Sequence, residues 1–152
     1  TGRMLTILPR ISEIHQRGTP DMEFAVNGLL ARSLLAAGQS GDAYRTVESL
    51  RTKFAEEGQE RFLPNMDAML VRIALHTGDL DYADTWYREK APRNPMRINI
   101  MKRYQYLTQA MVELADGKPG AAMLTLSPLE AYIQNCGRHI DGIHLNVLTA
   151  IS

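Results

Sequence analysis

The side chains that could do chemistry in this chain are few and scattered. His15, His76, His139 and His144 are its four histidines. His139 and His144 are five residues apart and so fall on different helix faces, and the i, i+4 pairing that holds zinc is absent. They read as ordinary surface or helix-end histidines, with His76 near a helix end where the dipole favours a cation. Cys136 is the one cysteine. That excludes an internal disulfide framework and a cysteine-rich zinc site. Near a helix C-terminus it also lacks the helix N-terminus that activates a thiol. Gly38-Gln39-Ser40-Gly41 has neither the G-x-S-x-G spacing nor the preceding strand of a nucleophile elbow, and reads as a turn. Gly117-Lys118 is followed by Pro119, which removes a backbone donor that a phosphate loop needs. Asp79, Asp81 and Asp84 gather where a turn enters a helix, and the positive end of the dipole accounts for them. No nucleophile, base or metal set emerges, so the chain is expected to be no enzyme, with no catalytic residue, metal or cofactor of its own.

Those residues need elements to position them, and composition bounds what the elements can be. The 152 residues suit one domain, large enough to bury about two thirds of its unfolded surface. Seventeen basic residues balance seventeen acidic ones, which argues against direct nucleic-acid binding and against a polybasic membrane surface. Apolar residues make up 45% of the chain, enough for a packed core rather than disorder. No apolar run reaches the length of a membrane span, and no signal segment opens the chain. A cytoplasmic location is the expectation.

The chain repeats itself. Leu34–Ala43, Ala74–Ala83 and Glu113–Ala122 align on Gly38, Gly78 and Gly117, spaced 40 and 39 residues apart. Seven before each glycine stands Ala31, Val71 or Ala110, and three before stands Leu35, Leu75 or Leu114. Five after stands Ala43, Ala83 or Ala122, and nine after stands Val47, Tyr87 or Leu126. These offsets describe a helix ended by a left-handed glycine, a tight turn, and a second helix whose small residue permits close approach. Thr19-Pro20-Asp21 is a helix start, and Pro64 serves the helix through His76 in the same way. Ala91–Met96, with Pro92 and Pro95, is a loop. Ser127-Pro128-Leu129-Glu130 is either a capping box opening a new helix or a proline kink within a longer one. The expected fold is all-α: an α-solenoid of tetratricopeptide-like helix pairs with a period near 40, in one domain over 1–152. Repeats are expected at about 20–57, 60–91 and 97–137, with a partial one at 138–152 and a helix at about 4–17 carrying Leu5, Leu8, Ile11 and Ile14. Beginning at Thr1 and ending inside a patterned segment, the chain reads as a piece of a longer protein.

In tetratricopeptide-like stacks the first helix of each pair lines a concave groove. Six residues before the turn glycine stand Arg32, Arg72 and Met111, and thirteen before stand Ala25, Asn65 and Tyr104, with His144 next in the series. Arg32, Asn65, Arg72, Tyr104 and His144 are therefore the candidate ligand-binding residues. Two arginines 40 apart suit a carboxylate or phosphate; the competing role is to brace the stack. Arg88, Lys90, Arg93, Arg97, Lys102 and Arg103 form a local basic stretch opposed only by Glu89, a solvated loop, a face for an acidic partner domain or, least favoured because the rest of the chain is not basic, a contact for DNA. Tyr82, Trp86, Tyr87, Tyr104 and Tyr106 concentrate in the same region, most of them expected in the core.

Pro64–Trp86 (PNMDAMLVRIALHTGDLDYADTW), Arg103–Ala115 (RYQYLTQAMVELA) and Glu130–Ala150 (EAYIQNCGRHIDGIHLNVLTA) resemble the repeat region of LuxR-type transcriptional activators of the large ATP-binding, MalT-like group. The likeness covers most of 20–152 and rests on the order Pro-Asn-x-x-Ala, Gly-Asp, Trp, then Tyr-x-Tyr-Leu-Thr. It implies a cytoplasmic bacterial regulator with an ATPase before this module and a helix-turn-helix DNA-binding domain after it. ATP and DNA binding then belong to the parent. The module's own partners are the parent's other domains, a small-molecule inducer and a second copy in self-association. The competing reading is a tetratricopeptide-like adaptor that binds peptides and has no part in transcription.

Overall fold

A computed structural model describes residues 18–92, 102–136, 147 and 150. Six α-helices make up most of this part, and it contains no strand. They are α1 (Pro20–Ala36), α2 (Ser40–Glu56), α3 (Leu63–Thr77), α4 (Leu80–Glu89), α5 (Arg103–Ala115) and α6 (Pro119–Cys136), with a 3-10 turn at Glu60–Phe62 before α3. The chain divides into two compact units, Thr1–Thr77 and Gly78–Ser152. The 60–91 segment thus gives α3 to the first unit and α4 to the second. The expected helix at 4–17 and partial repeat at 138–152 lie outside the described residues, apart from Val147 and Ala150.

Local chemistry sets the helix ends. Thr19 is extended and Pro20 opens α1, with Asp21 and Glu23 in the first turn, where acids meet the positive end of the dipole. Gly38, Gly78 and Gly117 have φ of 78°, 81° and 68°, the left-handed region closed to most side chains. At Gly38 the Gln39 amide reaches back to the Leu34 carbonyl at 2.9 Å, and at Gly117 the Lys118 amide reaches the Glu113 carbonyl at 2.8 Å. Both are the closing bond of a Schellman end. Gly58 ends α2 in the same way, the Gln59 amide meeting the Phe54 carbonyl at 2.7 Å. Asp79 caps α4 by accepting the Tyr82 amide at 3.1 Å. α6 runs without a break through Pro128, so the proline lies inside one long helix and opens no new one. Pro128 leaves the Leu124 carbonyl without its helix donor, and Leu124 is 74% exposed, where water can supply one.

In the first unit α2 packs on both α1 and α3. Ala31, Val47, Leu50, Phe54, Phe62, Met66 and Leu70 form the core, flanked by half-buried Phe24 and Met69. Phe62 stands 5.1 Å from Phe24 and 5.2 Å from Phe54, both pairs tilted. Three contacts tie α1 to the segment of α3. Arg61 donates to Asp21 at 2.7 Å, Phe62 meets Phe24, and a Cβ on Gly28 would lie 3.0 Å from Met69 Cε. Residue numbers rise together along both partners, so α1 and α3 run parallel with an offset of about 40 residues. In the second unit α5 packs on α6 and touches α4, around Tyr106, Leu107, Ala110, Ala122, Leu126 and Leu129.

The aligned positions share their environments. Seven before the glycine, Ala31, Val71 and Ala110 are all buried, as are Ala43, Ala83 and Ala122 five after it. The aromatic residues depart from expectation. Trp86 and Tyr106 are core, Tyr87 and Tyr104 are half-buried, and Tyr82 is exposed, with its ring outside the core.

Candidate functional site

The parallel run of α1 and α3 gives the arginine pair its geometry. Gly28 and Met69 mark where the helices touch. Arg32 follows Gly28 by four residues on α1, and Arg72 follows Met69 by three on α3. Arg32 is exposed, while Arg72 is half-buried and already engaged within the protein. Asn65 lies two turns before Arg72 on the same face of α3, half-buried and engaged as well. Tyr104 belongs to the second unit, half-buried in the first turn of α5. His144 lies outside the described residues.

Ion pairs stitch the first unit. Arg51 Nε on α2 donates to Asp67 Oδ1 on α3 at 2.6 Å, with Asp67 only 8% exposed. Lys53 Nζ donates to both carboxylate oxygens of Glu23 at 2.6 and 2.8 Å, and that carboxylate holds the ammonium above its ordinary range. Of the basic stretch, Arg88 pairs with Asp84 at 2.9 Å on the same helix, and Lys90 and Arg103 are engaged too. Arg93 and Arg97 lie outside the described residues, as do His15 and His139. His76 is exposed in the last turn of α3, and Cys136 is the last residue of α6. Among the described residues no group of three or more His, Cys, Asp or Glu could hold a metal. None of the described helices is long and apolar enough to cross a membrane.

The second unit holds a polar cluster that the apolar alignment passes over. Glu113 on α5 is 3% exposed. Its Oε1 accepts the Tyr87 hydroxyl from α4 at 3.0 Å and the Gln109 side-chain amide at 2.9 Å. The same Gln109 nitrogen donates to Thr125 Oγ1 on α6 at 3.1 Å. Burial, then the bond to Glu113, holds the Tyr87 hydroxyl above its ordinary range, which keeps it a donor. The signal was in the repeats. Eight and four before the turn glycine, the first two copies carry Leu30 and Leu70, then Leu34 and Ala74; the third carries Gln109 and Glu113. Two polar residues at positions that are apolar elsewhere mark a specialised copy.

No protein-family model matches the chain, and no curated protein or solved structure matches it.

Proposed function

We propose that the chain is a tetratricopeptide-like α-solenoid serving as the sensor and oligomerisation module of a LuxR-type, MalT-like bacterial transcriptional regulator. In this reading a small-molecule inducer or a partner domain binds along the first helices of the repeats. Binding favours one state of the parent over another, and the shift is only as large as the difference in affinity for the two states. The ATPase and DNA-binding domains belong to the parent, in the cytoplasm. The chain's own work is recognition, and no step in it is catalytic. The family assignment rests on the resemblance of Pro64–Trp86, Arg103–Ala115 and Glu130–Ala150. The observation that best supports the repeat architecture is the parallel pairing of α1 with α3 at an offset near 40, the offset at which Gly38 and Gly78 recur. Within the first unit, the first helix of one repeat then lies against the first helix of the next.

The reading is tested in the intact regulator. Replacing Arg72 and Tyr104 together with Ala should abolish the inducer response at a stability cost below about 2 kcal/mol, both side chains being half-buried and engaged. A loss above about 2 kcal/mol would instead assign both residues to bracing. The complete reading frame supplies an independent check: a G-x-x-x-x-G-K-[ST] loop upstream and a helix-turn-helix downstream are expected. A frame holding only further helical repeats would overturn the regulator and favour the peptide-binding adaptor.

A further inference from the structure

α1 carries two apolar stripes where a surface helix needs one. The first, with Phe24, Ala31, Leu34 and Leu35, packs into the core of the first unit. The second runs through Met22, Ala25, Leu29, Arg32 and Ala36, at steps of three and four residues, the spacing of a seam along one helix face. All five are exposed, Met22 by 49% and Leu29 by 40%. The neighbouring α2 differs: it turns Asp42, Arg45, Thr52, Lys53 and Glu56 to water, with Tyr44 as its one large exposed apolar residue. Single exposed apolar side chains are ordinary, whereas a continuous stripe marks a surface that another element covers. The charge within the stripe is also uncompensated. Arg45, Arg51, Arg61 and Arg88 are ion-paired, and Arg72 and Arg103 are engaged within the protein. Among the described residues Arg32 is the one arginine with neither an ion pair nor a hydrogen bond.

The order of residues in the stripe selects the partner. Set against its own reverse and centred on Leu29, the stripe places Met22 opposite Ala36 and Arg32 opposite Ala25, a large side chain facing a small one, with Leu29 meeting Leu29 at the middle. A parallel pairing would set Arg32 against Arg32. The charges agree with the reversed order. Asp21 precedes Ala25 by one turn, and its side chain is 63% exposed, with Arg61 bound to Oδ2. An Arg32 lying over Ala25 of a reversed helix therefore has a carboxylate within its reach. We propose that a second copy of this chain docks on this face, the two α1 helices antiparallel about a twofold axis at Leu29, with each Arg32 directed to Asp21 of the other copy. A twofold contact uses the same patch on both subunits, so every one of these pairings occurs twice. With seventeen acids and seventeen bases, no net charge drives the copies apart. One helix pair makes a small interface, so the dimer is weak and forms with rising concentration. The proposal rests on the self-association in the reading above and names its surface; inducer recognition is independent of it.

Two measurements on the whole 152-residue chain, with no inducer and no other domain present, decide the matter. Sedimentation equilibrium from about 1 to about 500 µM should show monomer passing to dimer. Leu29→Glu should raise the dissociation constant at least about tenfold, and Arg32→Glu by about threefold or more, because each change is made twice at the centre of the contact. Thermal unfolding of the dilute monomer should stay unchanged in both, since both side chains are exposed. A chain that stays monomeric throughout overturns the proposal, as does a dimer that neither change weakens. The second measurement fixes direction, in a Cys136→Ser background. Leu29→Cys should form a disulfide between copies, because the twofold axis brings its two Cβ atoms together. Met22→Cys should not bond to itself, the two lying about 20 Å apart along an antiparallel pair, but should bond to Ala36→Cys when the two chains are mixed. Self-bonding by Met22→Cys would mean parallel helices and overturn the proposal. A monomeric Leu29→Cys chain whose thiol resists alkylation would give the face to a segment of the same chain, with the same consequence. Either outcome leaves the response to an inducer to be judged by its own test.

Discussion

Arg51 and Asp67 show what a single pair contributes. Asp67 sits almost wholly out of water, and the Arg51 fork reaches it across the α2–α3 interface at 2.6 Å. Removing Arg51 takes a short charge-assisted bond away from a buried carboxylate that keeps its other contacts. Arg51→Ala should therefore cost about 1–3 kcal/mol in urea unfolding, with Arg51→Lys recovering part of it. A loss near zero would mean that water or another donor replaces the guanidinium without cost. This pairing was not legible in the sequence, because sixteen residues and a change of helix separate the two groups and only the fold joins them. Glu113 and Gln109 are a different case. They occupy repeat positions that hold Leu34, Ala74, Leu30 and Leu70 in the other copies. An alignment read for its polar exceptions as well as its apolar matches picks them out, though not the hydroxyl of Tyr87 that meets them.

Among the elements, those whose ends depend on backbone chirality were the most legible. A glycine at the end of an apolar-patterned run takes a conformation others avoid, and the sequence places it without help from tertiary contacts. Gly38, Gly78 and Gly117 all behave so, and Gly58 adds a fourth end that the 40-residue alignment does not contain. Ser127-Pro128 was ambiguous for the opposite reason. A serine and a glutamate three residues apart favour a new start, while burial of Leu126 and Leu129 on one face of α6 favours continuity, and the packing prevails. The helix keeps its course with one backbone bond missing. Pro128→Ala should restore that bond and raise stability by about 1–3 kcal/mol, seen as a higher melting temperature with unchanged helical circular dichroism. A lower melting temperature would show that the proline ring itself packs usefully. The offset between α1 and α3 was implicit in the period, but the contacts that fix it, Arg61 with Asp21 and Met69 over Gly28, were not.

The molecule as a whole carries no net charge to keep copies apart. Seventeen acids balance seventeen bases, and the isoelectric point is about 6.8. Solubility should pass through a minimum near that pH and rise on either side, as turbidity across pH 5 to 9 would record; a flat profile would mean that local patches, not net charge, govern association. The all-helical class was legible because three copies repeat one pattern. The division into two compact units was not, since the pattern runs through the boundary at Thr77–Gly78 without interruption. One consequence follows from where a single side chain lies. Trp86 is the only tryptophan, it is 5% exposed, and it belongs to the second unit, next in sequence to the tyrosine that binds Glu113. The molecule thus contains one intrinsic indole fluorophore, and it is buried in the second unit. Its emission wavelength reports how dry its own surroundings stay as the second unit opens, with no dye attached and no residue changed.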